Sequence, residues 1–255
     1  MSRMFDIVTK TWNPIVGCLY SCVYCWARQL AIKRKLYPRG FKPQFFPERL
    51  RKVPKKGFVF VGDMADMFGG FIPSEWIEQV LKAIRKSGSK ATFLFLTRNP
   101  IRYLEFQDLI TDNMMLGVTL ETHVSYELLY NPKVLEYFNV PKAKILSRLD
   151  RMPKTISNSP NPRRRILDYI MVLRKIDWVK GFISIEPILL FNIHDMYNTI
   201  RSINPDIIYI GYDNYGWRLP EPPLNKTLAL IYKLERFGYT IYRKTIRKAW
   251  WEVDE

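Results

Sequence analysis

The chain has 255 residues, 47% of them hydrophobic, with 40 Lys+Arg against 24 Asp+Glu and a formal net charge of +16. That length suits a single domain with a full core, an α/β barrel included. No apolar run approaches the roughly 20 residues of a membrane span, and no signal-peptide centre opens the chain. The expectation is a cytoplasmic monomer without membrane association, whose basic charge makes DNA or RNA the first candidate partner.

Taken in order, Thr11 to Gly17 reads as an extended segment leading into a loop that holds all three cysteines, Cys18, Cys22 and Cys25. A helix is predicted over 26–35, ending near Pro38-Arg39-Gly40. Between Arg28 and Lys56 stand eleven Lys/Arg and one acid, Glu48, interleaved with Phe41, Phe45, Phe46 and prolines. This predicts an irregular basic segment, 36–56, that is either a solvated face or a groove for a phosphate backbone. The apolar run 57–62 fits a buried parallel strand. Ser74 is predicted to N-cap a helix with Ile77, Val80, Leu81 and Ile84 on one face.

The unit then repeats. Strands are predicted over 91–96, 114–120, 181–187, 206–211 and 239–243, and helices over 101–109, 125–137, 163–175, 194–203 and 225–237. The connection 141–162 is long and proline-punctuated, with a short strand at 143–146. Arg163, Arg164 and Arg165 oppose the dipole of the helix they open, which invites an anionic ligand or an acidic neighbour. Strands alternating with helices imply parallel pairing with right-handed crossovers, closed partly as a barrel or left open and doubly wound. Polar residues stand just after the strands: Asp63, Thr97, Arg98, Glu121, Glu186 and Asp213. Ligands bind at that end of such sheets. The tail, 239–255, is basic and carries Trp250 and Trp251.

Three cysteines spaced C-x3-C-x2-C within eight residues can bring thiolates to three corners of one 4Fe–4S cube and leave the fourth iron open. Two other readings exist. One is a zinc site completed by a histidine, although His123 and His194 are distant in sequence; the other is simple burial. The odd count and the lack of a secretory signal argue against a disulfide framework.

With Tyr24 between Cys22 and Cys25, the pattern C-x3-C-x-aromatic-C resembles the radical S-adenosylmethionine (radical SAM) superfamily. Thr11-Trp12-Asn13-Pro14, Phe45-Phe46-Pro47-Glu48-Arg49, Gly62-Asp63-Met64, Leu96-Thr97-Arg98-Asn99-Pro100, Gly117-Val118-Thr119-Leu120-Glu121 and Ser184-Ile185-Glu186-Pro187 are similar to patterns in a phage- and archaea-associated family of radical SAM proteins. A looser likeness is to enzymes of the spore photoproduct lyase type. The resemblance implies a partial (β/α)6 TIM-like barrel of parallel strands with helices outside. It implies that Cys18, Cys22 and Cys25 each ligate one iron, that SAM chelates the fourth, and that reductive cleavage yields a 5′-deoxyadenosyl radical. A reduced ferredoxin- or flavodoxin-type protein would supply the electron.

The turn Gly62-Asp63-Met64 takes the place of the superfamily's Gly-Gly-Glu-type motif, which holds the SAM amino group. Thr119, Glu121, Ser184 and Glu186 are placed at its ribose and carboxylate, and Arg98 at the carboxylate by charge-assisted pairing. Tyr24, Thr97 and Gly211 complete the expected contacts. No cysteine is left to return a hydrogen atom to a product radical, so Tyr212 and Tyr215 are the candidates by position. The substrate is open: nucleic acid, for modification or lesion repair, or a protein, peptide or small molecule. A third alternative is a non-catalytic iron–sulfur protein that binds nucleic acid or senses redox state.

Overall fold

The structure is a computed structural model, and it describes residues 5–146 and 155–253. In chain order the strands are β1 (Lys10–Trp12), β2 (Ile15–Val16), β3 (Gln44–Phe45), β4 (Phe58–Val61), β5 (Thr92–Thr97), β6 (Met114–Thr119), β7 (Lys180–Ile185), β8 (Ile207–Ile210) and β9 (Ile241–Arg243). Seven parallel strands form one sheet in the order β1-β4-β5-β6-β7-β8-β9. Every crossover steps one place in the same direction. A doubly wound sheet reverses at a switch point, so this sequential order is that of the partial TIM-like barrel expected. β2 and β3 pair apart from it as a small antiparallel hairpin.

The helices are α1 (Trp26–Lys33), α2 (Ser74–Lys86), α3 (Pro132–Tyr137), α4 (Lys142–Leu146), α5 (Pro162–Lys175), α6 (Ile193–Ile203) and α7 (Leu224–Arg236). Most follow the apolar spacing read from the sequence. α2 buries Ile77, Val80, Leu81 and Ile84 as predicted, but Pro73 holds the cap position. Ser74 is instead the first helical residue, and its hydroxyl accepts from the Arg102 guanidinium. Three other expectations are corrected. Residues 100–109 are 3-10 turns broken at Phe106. The stretch 125–137 is split into a 3-10 turn and α3, which starts at Pro132. Residues 143–146 lie in helix α4, with Ile145 buried, and form no strand. The rest of that connection, 147–154, and residues 254–255 of the tail lie outside the described residues.

The chain packs as two compact units. One holds the chain up to Ser21, Cys25–Val118 and Met171–Phe182; the other holds Cys22–Tyr24, Thr119–Ile170 and Ile183 onward. The core of the first is aromatic. Phe5 packs on Phe60 and Phe182, with ring centroids 5.6 and 5.1 Å apart, and Phe68 packs on Tyr103 at 4.4 Å. Rings paired edge to face or tilted gain more than their area alone. The second unit gathers Tyr24, Val124, Tyr126, Leu135, Phe138 and Leu189 around one cluster. Its tail is docked: Arg247 forks onto Glu221 at 2.7 and 2.9 Å, and the Trp251 indole donates to the Glu221 carbonyl at 3.0 Å. Among the described residues no helix is long and apolar enough to cross a membrane.

Candidate functional site

In the first unit the cysteine loop starts where β2 ends. Gly17 has φ +88°, and its amide donates to the Met64 carbonyl at 2.8 Å. A Cβ at Gly17 would stand 2.2 Å from the Lys42 carbonyl oxygen, so only glycine fits there. The Cys18 amide then donates to Phe41 O at 3.0 Å. The basic segment is therefore ordered around the loop: β3 pairs with β2, and Phe41 packs on the loop with Val16, Ala27, Ala31 and Met64 beside Cys18 and Cys25. Cys25 is the N-cap of α1, and its Sγ accepts from the Arg28 amide at 3.4 Å. A sulfur at a helix N-terminus is favoured as thiolate, the ligating form.

The turn after β4 is Gly62-Asp63-Met64. Gly62 takes φ +78° and donates to Trp12 O at 3.0 Å. The Asn13 amide reads both neighbours, donating to Asp63 Oδ1 at 2.5 Å and accepting from Met64 N at 3.3 Å. Burial pushes the Asp63 carboxyl up, against the pull of Asn13. One turn on, Asp66 is the acid the sequence reading passed over. Thr97 Oγ1 donates to its Oδ1 at 2.6 Å and the Arg98 amide to its Oδ2 at 2.8 Å. Burial nonetheless raises its pKa, opposed by those bonds and by the Arg98 charge. Thr97 and Arg98, expected at the cofactor, thus stand around Asp66. Burial, with Asp66 and Cys18 adding to it, pushes the Tyr20 phenol up.

In the second unit Cys22 to Tyr24 are held by one main-chain bond and by side chains. Val23 N donates to Ile156 O at 3.0 Å, and Cys22 Sγ lies 3.1 Å from Ser157 Oγ. The Tyr24 hydroxyl donates to Glu121 Oε1 at 2.6 Å. Glu121 Oε2 accepts from Arg165 and from Tyr126, each at 2.8 Å, and Arg165 also reaches Thr119 O. Glu121 and Arg165 are both 0% exposed. Tyr24, Thr119 and Glu121, expected as cofactor contacts, are joined to one another through Arg165. Two of the three arginines at the start of α5 find acids, Arg165 in Glu121 and Arg164 in Asp168, each at 2.8 Å.

Ser184 is 1% exposed at the end of β7, and its hydroxyl is a buried polar atom with no hydrogen-bond partner among the described residues. Such an atom costs stability unless something satisfies it. Glu186 pairs with Lys244 at 2.8 Å, and Asn214 donates to it at 3.3 Å; burial still raises its pKa. Gly211 makes room for that lysine, because a Cβ there would sit 2.9 Å from Lys244 Cβ. Tyr212 is fully buried, with its hydroxyl shared between Pro222 O at 3.0 Å and Thr227 Oγ1 at 2.7 Å. Tyr215 is 58% exposed.

The three cysteines are free thiols. Among the described residues no three His, Cys, Asp or Glu side chains gather as a single-ion site. Three free thiols within eight residues of chain are the donor type that a 4Fe–4S cluster takes.

Sequence comparison matches residues 4–200 to the model of the DUF5131 family, proteins of unknown function. No curated protein matches the chain. Among solved structures, SuiB of Streptococcus suis bound to S-adenosylmethionine superposes with a TM-score of 0.52 at 11% identity, over 98% of this chain and 54% of that one. A radical SAM methyltransferase from Sphaerobacter thermophilus superposes with a TM-score of 0.57 at 10% identity, over 95% and 67%. The chain spans about half the length of SuiB. At these identities the likeness is one of fold.

Proposed function

We propose that this chain, which belongs to the DUF5131 family of proteins of unknown function, is a radical SAM enzyme. The observation that carries the reading is how the C-x3-C-x-Tyr-C loop is built. Its glycine entry is hydrogen-bonded to the turn after β4, its last cysteine caps a helix, and its tyrosine is fixed to a buried glutamate. The fold it shares with SuiB, solved with S-adenosylmethionine, and with a radical SAM methyltransferase supports it. Cys18, Cys22 and Cys25 would hold three irons. When bound, the cluster and SAM supply a reductive cleavage to methionine and a carbon-centred 5′-deoxyadenosyl radical.

The chain's own part is positioning. The turn 62–64 would take the SAM amino group, and Ser184 Oγ is free to take a hydrogen bond. Asp63 brings a buried carboxylate acceptor to that turn. Val16, Phe41 and Met64 pack against Cys18 and Cys25, which stay half-buried. Anaerobic protein, reconstituted with iron and sulfide, reduced with dithionite and given SAM, should form 5′-deoxyadenosine, while Cys22→Ala should not. A wild type that holds a cluster, binds SAM and yet forms none contradicts the reading.

The net charge of +16 favours nucleic acid as substrate over a protein, peptide or small molecule. Affinity for DNA or RNA that falls steeply with salt supports this, and no binding at low salt overturns it.

A further inference from the structure

In the second unit the first turns of three helices meet the loop after β6. His123 stands in that loop, with Nε2 3.6 Å from Asp195 Oδ2 in the first turn of α6. Just before α5, Asn161 Oδ1 accepts from Ser125 Oγ at 3.3 Å and from the Arg163 amide at 3.0 Å, which ties the start of α5 to the same loop. The Thr122 hydroxyl donates to Leu190 O at 2.6 Å, and next to Leu190 the Phe191 ring lies 5.9 Å below the Lys226 ammonium of α7. Burial lowers the His123 pKa, against the pull of Asp195, and the charges of Arg163 and Lys226 lower it further. This group lacks negative charge. Arg164 and Arg165 have acids, but among the described residues neither Arg163 nor Lys226 pairs with one. Both stand in first helical turns that contain no acid, where the dipole opposes a cation. His123 Nδ1 is buried with no hydrogen-bond partner among the described residues. Lys226 is half-buried over Phe138 at 4.6 Å as well as over Phe191, and two aromatic faces only partly replace a counter-charge.

Lys226 also lines a cleft of about 500 Å³, together with Phe138, Ile193, Asn225 and Trp251. Small ligands take clefts of about 300–1,000 Å³. The acid that lines it, Glu252, is already held by the Leu224 and Ala249 amides at 2.9 and 2.7 Å. We propose that Lys226 and Arg163 hold the phosphate of a mononucleotide, whose base and sugar lie in the cleft against Phe138 and Trp251. A phosphate monoester carries about −1.5 to −2 at pH 7, which answers two cations better than the single charge of a carboxylate. Bases of any kind stack on aromatic side chains. Binding here needs neither the cluster nor SAM, so it is measured on the chain as purified and stands or falls apart from the radical SAM reading.

The probe is uridine 5′-monophosphate (UMP), which lacks the adenine of SAM, titrated by calorimetry. UMP should bind at low salt. Lys226→Gln should weaken it about tenfold or more, and Arg163→Gln by a smaller factor. Neither substitution strands a carboxylate, so neither variant should unfold at a lower temperature than wild type. The chain has two histidines, and NMR titration of their ring protons reads His123 directly. An anion placed beside it should raise its pKa when UMP is added to wild type, and should do so less in Lys226→Gln. UMP that does not bind, or that binds both variants as it binds wild type, overturns the proposal. So does uridine binding as tightly as UMP, because the phosphate then adds nothing. Inorganic phosphate binding as tightly as UMP overturns it too, because the cleft then adds nothing. A 5′-phosphorylated oligonucleotide set against its 5′-hydroxyl form separates a strand end from a free nucleotide as the source, and a phosphate effect lost in Lys226→Gln supports the site in either case.

Discussion

The two parts of the cysteine loop are held by different physics. Gly17 and Cys18 are fixed by main-chain bonds to Met64 and Phe41 and by apolar packing, with charge playing no part. Cys22 to Tyr24 have one main-chain bond, from Val23 to Ile156, and are otherwise fixed through a serine hydroxyl and a buried glutamate–arginine pair. Main-chain bonds survive most side-chain changes and fail only where a Cβ intrudes. A buried ion pair is the opposite, because removing one partner strands the other charge away from water.

The largest effect should therefore come from the second part. Arg165→Met leaves Glu121 buried and uncompensated, with an expected loss of about 3–5 kcal/mol, or roughly 10 °C in thermal unfolding. A loss under about 1 kcal/mol would mean that the pair does not clamp the loop. Gly17→Ala tests the first part. The Lys42 carbonyl must move and the left-handed backbone is strained, so about 1–3 kcal/mol should be lost, with iron content falling too. If Gly17→Ala equals wild type in both, the main-chain account of the entry is wrong.

Ser157→Ala should sharpen the comparison at lower cost. Ligation would take the Cys22 proton, so Ser157 Oγ, which donates to Ser159 Oγ at 2.9 Å, would turn its proton to Sγ while still accepting from Ser159 N at 3.1 Å. Hydrogen bonds to cluster sulfurs raise the reduction potential. Losing one of about 1 kcal/mol should lower it by about 40 mV in a redox titration with little change in stability. An unchanged potential removes Ser157 from the sulfur's surroundings.

The smallest effect is one of pH. Burial raises the folded-state pKa of Glu186, with Lys244 only partly offsetting it. Between the unfolded value, about 4.3, and the raised folded value, the native state binds more protons than the unfolded chain, so stability falls as pH rises. Glu186→Gln, which carries no such proton, should gain on wild type in unfolding midpoint from pH 4 to pH 7. A gap that shrinks with rising pH contradicts the shift.

What the sequence made legible follows from range. Apolar runs and helical spacing are local, and they placed the seven sheet strands and the long helices near their observed bounds. The cysteine spacing is local too. The short stretch 143–146 failed because an isolated apolar residue, Ile145, fits a helix as well as a strand. The Tyr24–Glu121 and Glu121–Arg165 partners lie 97 and 44 residues apart, and nothing in a run of sequence joins them. The three arginines at 163–165 did signal that an anion was needed; the fold supplied acids to two of them. Asp66 was visible in Asp63-Met64-Ala65-Asp66, yet only the structure distinguishes the acid bound by Asn13 from the one held by Thr97 and Arg98.

The central claim is that Cys18, Cys22 and Cys25 hold a cluster with one iron left open for SAM. Electron paramagnetic resonance of the anaerobically reconstituted, reduced chain tests it most directly. The account predicts about four irons per chain and a reduced-cluster signal that changes shape when SAM is added and is absent from Cys22→Ala. A signal indifferent to SAM, or one that persists in Cys22→Ala, would contradict it.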